Sequence, residues 1–179
     1  MKKRDCAEEL CSLIREGTSP FHAVSVAERR LREQGFESLS LKRSWQLEKG
    51  GRYYVSVGES TLFAFTVGDG WNGQEGFRIA AAHTDFPGLR VKQHAEMIRG
   101  NYGQLNVEVY GGAILNTWLD RPLSVSGRVA LKSDDVFRPQ TRLVDLKKPY
   151  FIIPNLAIHL NREVNKGTEL NRQKELLPI

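Results

Sequence analysis

His83, Thr84 and Asp85 follow a short run of small and apolar residues, Phe77-Arg78-Ile79-Ala80-Ala81-Ala82. An imidazole and a carboxylate two residues apart can serve one metal centre. One side chain binds the ion while the other organises its surroundings. A metal-bound imidazole needs its second nitrogen held, and a metal-bound water needs a carboxylate partner. Alone, the tripeptide is common, and a strand-end histidine that only hydrogen-bonds would explain it as simply. Other candidates offer less. His22 lies beside Phe21 in a helical stretch and suits capping or packing. His94 sits between Lys92 and Glu96 and should face solvent, while Tyr110 and Trp118 read as core or subunit contacts. Cys6 and Cys11 would stand about 500° apart around a helix and so would not face one another. They are expected to be free, partly buried thiols suited to a reducing cytoplasm.

For His83 and Asp85 to act together, the elements before them must deliver both to one place. Phe77 to Ala82 reads as a strand, and its end is the rim of a sheet, where α/β folds bind ligands. Alternate strand residues share a face, so His83 and Asp85 should point the same way. Upstream, Cys6, Ala7, Leu10, Leu13 and Ile14 have helical spacing within residues 5–16, and Gly17 is a stop. Ser19 can cap a second helix with Pro20 in its first turn, and Gly35 ends it. Tyr53 to Val57 and Thr61 to Val67 flank Gly58-Glu59-Ser60 as a hairpin. Downstream, strands are expected at Leu89 to Gln93, Gln104 to Tyr110, Leu123 to Leu131 and Thr141 to Leu146. Asn155 to Asn165 reads as a late helix, with Leu156, Leu160 and Val164 on one face. The change of domain is placed near Pro87-Gly88.

The composition bounds the function. The chain has 179 residues, 40% hydrophobic and 26% charged, which suits an ordinary globular protein. No apolar run reaches membrane-spanning length, and the basic N-terminus leads into no signal-peptide core. The net charge of +5 raises the question of nucleic acid. Lys2-Lys3-Arg4, Arg29-Arg30-Leu31-Arg32 and Lys147-Lys148 are separate and interleaved with acids, so they read as solvated faces. Neither a nucleic-acid partner nor a membrane is expected.

The surroundings of His83 sharpen the reading. Arg78-Ile79-Ala80-Ala81-Ala82-His83-Thr84-Asp85-Phe86-Pro87-Gly88-Leu89-Arg90 resembles the first metal-ligand segment of the aspartyl aminopeptidase family of di-zinc peptidases. Further stretches resemble the same family in the same order: Ser19-Pro20-Phe21-His22-Ala23-Val24, then Val107-Glu108-Val109-Tyr110-Gly111-Gly112 running into Trp118-Leu119-Asp120-Arg121-Pro122-Leu123, and last Ile153-Pro154-Asn155-Leu156-Ala157-Ile158-His159-Leu160-Asn161-Arg162. The resemblance covers essentially the whole chain.

That resemblance implies specific roles. His83 matches the family's first zinc ligand, and Asp85 the carboxylate that supports it and the catalytic centre. His159 matches a histidine that reaches a neighbouring subunit's active site, where it contacts substrate or its developing charge. The implied fold is α/β: residues 1–88 begin an α/β/α zinc-peptidase domain, and residues 89–179 form most of a β-rich dimerisation domain. The implied activity is removal of an N-terminal residue, acidic by family preference, from peptides by a cytoplasmic homo-oligomer holding two zinc ions per subunit. The family's bridging aspartate, Glu-Glu pair, later aspartate and C-terminal histidine find no match here. The sequence also stops on the apolar Leu176-Leu177-Pro178-Ile179. It is therefore expected to be the N-terminal portion of such an enzyme, inactive by itself. The alternative is a non-catalytic module that self-associates through its β-rich half.

Overall fold

The computed structural model describes residues 3–135, 137, 139–167 and 169–179. They form two compact units, one of residues up to Asp85 together with Ser126–Val144, the other of Phe86–Val125 and Asp145–Ile179.

The first unit opens with two helices, α1 (Lys3–Glu16) and α2 (Pro20–Glu33). The Gly17 amide closes α1 by donating to the Leu13 carbonyl at 2.8 Å. Ser12 donates to the Glu16 carboxylate at 3.0 Å and holds it below the usual carboxylate range, with Arg29 of α2 adding to the effect. Ser19, in extended conformation and buried, caps α2: its hydroxyl accepts from the His22 amide at 3.3 Å and lies 2.7 Å from the His22 ring. His22 is thus engaged at the cap, as its position suggested. Val24 and Val26 turn inward, and Gly35, at φ +78°, ends the helix in the left-handed region that glycine enters at little cost. Replacing Ser19 by alanine orphans a helix-start donor. It should lower stability by about 1 kcal/mol in denaturant unfolding followed by circular dichroism. An unchanged midpoint would refute the capping role.

A three-stranded sheet of β1 (Glu37–Ser38), β2 (Arg52–Val57) and β3 (Thr61–Thr66) packs on α2. β1 runs parallel to β2, and β2 antiparallel to β3. Tyr53, Tyr54 and Val55 of the central strand are all buried and form the core of this unit with Val24. Gly58 and Glu59 both have positive φ, the primed turn geometry that matches the twist of a hairpin. Later in the chain come β6 (Ser126–Ala130) and β7 (Thr141–Asp145), which pair with each other. Arg128 donates to the Gly58 carbonyl and the Glu59 carboxylate at 2.9 and 3.2 Å, and its guanidinium lies 4.4 Å from the centre of the Phe21 ring. These contacts draw residues 126–144 to the N-terminal unit, whereas the sequence reading ran the second domain unbroken from residue 89. The first boundary falls between Asp85 and Phe86, close to Pro87-Gly88.

The second unit is built on β4 (Gly88–Arg99) and β5 (Tyr102–Tyr110), an antiparallel hairpin. Its register shifts between Val91 and Glu96, with His94 in the left-handed region at the bulge and exposed, as expected. Val107, Ile153, Leu176 and Leu177 are buried. Leu105 donates to the Pro178 carbonyl at 3.0 Å, and Ile152 and Ile179 exchange two backbone hydrogen bonds of 2.9 Å. The apolar ending thus has its own reason: it is a core segment of this unit.

Three expectations fail. Phe77 to Ala82 forms no strand; nothing among the described residues pairs with it, and Phe77 and Ile79 are 85% and 79% exposed. A strand is held by its neighbours' hydrogen bonds, so an apolar sequence without them does not become one. The helix over Asn155 to Asn165 is replaced by turns and a short 3₁₀ segment, Val164–Lys166. Its apolar positions Leu156, Ile158 and Leu160 are at least half exposed, and a short helix without a buried face is marginal. Cys6 and Cys11 are free, as expected, but exposed rather than partly buried, because the apolar face of α1, with Leu10 and Ile14, is itself largely exposed.

Candidate functional site

His83 and Asp85 do meet, though not through strand alternation. Residue 84 is a bend, and Thr84 donates its hydroxyl to the Ser60 carbonyl at 2.7 Å, tying the segment to the end of the β2–β3 turn. With Thr84 held, the chain folds back so that His83 Nδ1 lies 2.6 Å from the Asp85 carbonyl oxygen and 3.1 Å from its carboxylate Oδ1. Thr84 had no assigned part in the sequence reading. Its only signal was its place between the two candidate residues.

This geometry selects a tautomer. A carbonyl oxygen can only accept, so Nδ1 carries the proton and donates. In the neutral ring Nε2 then keeps its lone pair, on a side chain 81% exposed. An imidazole with one nitrogen anchored on carbonyl and carboxylate oxygens is held in one orientation for metal binding through the other. The pair therefore fits one metal ligand with its supporting carboxylate. It does not fit a complete zinc site, which takes three or four protein ligands. Among the described residues no group of three or more His, Cys, Asp and Glu side chains comes together.

His159 belongs to the second unit. It is exposed and sits inside a turn in which Leu160 and Asn161 both donate to the Ala157 carbonyl, at 2.8 and 3.1 Å. The approach to that turn is held from a distant part of the sequence. Asp120, in the left-handed region at φ +56°, donates its amide to the Ile153 carbonyl at 2.9 Å and accepts from the Asn155 amide on Oδ1, also at 2.9 Å. Asn155 in turn accepts from the Leu156 amide at 2.9 Å. In the sequence Asp120 lies within the Trp118–Leu123 motif and carries no signal of a role of its own. A cavity of about 260 Å³ between α2 and β7, lined by Phe21, Glu28, Glu59 and Thr141 among others, includes none of the candidate residues.

No helix among the described residues is long and apolar enough to cross a membrane. The family model for aminopeptidase I zinc metalloproteases (M18) matches residues 13–179. A probable M18 family aminopeptidase 2 of Clostridium novyi is 49% identical over 174 residues, covering 97% of this chain and 40% of the relative. Another from Pseudomonas fluorescens is 45% identical over 170 residues, covering 95% of this chain and 39% of the relative. The chain thus spans about 40% of the length of these curated relatives. Among solved structures, a chain in the cryo-EM structure of the Ape4 and Nbr1 complex superposes with a TM-score of 0.92 at 36% identity, covering 98% of this chain and 34% of that one. A subunit of the mApe1 dodecamer from S. cerevisiae superposes with a TM-score of 0.77 at 27% identity, covering 97% and 47%.

Proposed function

Because the chain belongs to the M18 family of aminopeptidase I zinc metalloproteases, we propose that it supplies the first zinc ligand and the substrate-contacting histidine of an aminopeptidase that removes N-terminal, acidic residues from peptides. The observation that carries this reading is the His83–Asp85 pair, with Nδ1 anchored and Nε2 left for metal. In the proposal His83 binds one of two zinc ions and Asp85 holds and tunes it. His159 is presented to the active site of a neighbouring subunit. Residues 1–88 belong to the peptidase domain and residues 89–179 to the dimerisation domain, with residues 126–144 packed on the former by the Arg128 contacts. The dodecameric S. cerevisiae relative supports assembly as a homo-oligomer, and the exposed thiols Cys6 and Cys11 suit a cytoplasmic location.

By itself the chain is proposed to be inactive, because one imidazole and one carboxylate leave most of zinc's coordination positions to water. The test sets the 179-residue chain beside a chimaera that joins it to the remaining portion of the Clostridium novyi relative. The chain alone should bind zinc only weakly in calorimetry and release no residue from Asp- or Glu-initiated peptides. The chimaera should bind zinc tightly and release those residues, and should prefer such peptides to neutral ones. Zinc-dependent turnover by the chain alone would sink the inactivity claim, and a soundly folded, zinc-loaded chimaera without turnover would sink the enzymatic one.

A further inference from the structure

Asp120 holds a backbone conformation that a non-glycine residue adopts at some cost, at φ +56°. That conformation directs its amide to the Ile153 carbonyl while its carboxylate takes the Asn155 amide. The two bonds grip the chain on both sides of Pro154, a residue that has no amide to offer. On one side Ile153 is 1% exposed and anchors the grip in the core. On the other, Asn155 passes the constraint to Leu156, and the Ala157 turn carrying His159 begins directly after. His159 and its neighbours have no such core anchor, since Leu156, Ile158 and Leu160 are 54%, 52% and 75% exposed. The direction of this segment must therefore be set by its hydrogen bonds.

We propose that Asp120 is the positioning residue for His159: its backbone and carboxylate clamp the chain around Pro154 and so fix where the turn bearing the imidazole starts. The inference rests on the reading that His159 acts in catalysis, but the clamp can be judged without it. Asp120→Gly removes the acceptor and also the backbone strain, because glycine enters the left-handed region freely. Asp120→Asn keeps the shape and a neutral acceptor, weaker than a carboxylate, in a residue type that tolerates this conformation.

Amide-resolved hydrogen exchange on the 179-residue chain reads the clamp. The Asn155 amide should exchange about ten- to a hundredfold faster in Asp120→Gly, the loss expected for one bond to a charged acceptor, and by a smaller factor in Asp120→Asn. The core amides of Val107 and Leu176 should be unchanged. Should the glycine variant fail to fold, the asparagine variant still decides: an Asn155 amide no faster than in the wild type overturns the clamp. The catalytic half is read in the chimaera as a double-mutant cycle. Asp120→Gly should lower kcat at unchanged zinc content, Asp120→Asn should restore most of it, and Asp120→Gly should add no further loss to His159→Ala. Losses that multiply would make Asp120 a merely structural residue and overturn the proposal. A fully active His159→Ala enzyme would overturn the positioning role together with the reading beneath it. That failure is distinguishable, because Asn155 would still be released in the glycine variant.

Discussion

Replacing His83 by alanine in the chimaera is expected to remove bound zinc and turnover together. The physical reason lies in the anchoring of the ring. Nδ1 is committed to the oxygens of Asp85, so Nε2 is presented in one orientation and one tautomer, and alanine leaves that coordination position to water. Asp85→Asn gives the graded comparison. It leaves the backbone carbonyl that holds Nδ1 but discharges the supporting carboxylate, a change that typically costs about 10–100-fold in metal affinity or activity. Loss of the ligand itself should exceed that range. Zinc content by elemental analysis and turnover measured on the same samples provide the check. Full zinc occupancy with normal turnover in His83→Ala would remove the basis for the proposed site.

His159→Ala should act differently, lowering turnover while leaving zinc content and assembly nearly intact. In the proposed role His159 contacts the substrate or its developing charge in a neighbouring subunit. Loss of such an oxyanion donor typically costs about a hundred- to a thousandfold in kcat. The imidazole is exposed within the Ala157–Asn161 turn, so the change should be nearly silent in unfolding experiments. Mixing gives the more demanding measurement. A hybrid oligomer of His159→Ala and His83→Ala subunits contains sites with an intact His83 that can receive an intact His159 from a neighbour. Activity should therefore rise on mixing well above that of either parent. Hybrids that form but remain inactive would exclude donation between subunits.

The elements legible in the sequence are those whose causes are local. Ser19 and Pro20 start α2 because a side-chain oxygen and a preset φ are all that a helix start needs, and Gly35 stops it for an equally local reason. The β2–β3 hairpin was readable because two strand-like runs flank a three-residue turn that opens on Gly58, which takes positive φ at little cost. His83 and Asp85 stood out because two residues of separation keep them close in almost any backbone conformation. What the sequence could not decide is whether a periodic stretch finds a partner. Phe77 to Ala82 has the composition of a strand and Asn155 to Asn165 the spacing of a helix, yet neither element forms, because backbone pairing and a buried face come from other parts of the chain. For the same reason tertiary structure alone assigned residues 126–144 to the first unit and buried Leu176 and Leu177 in the second. It also joined Asp120 to Asn155 across 35 residues of sequence. Periodicity along a chain specifies which side chains share a face, and only the folded packing determines what that face meets.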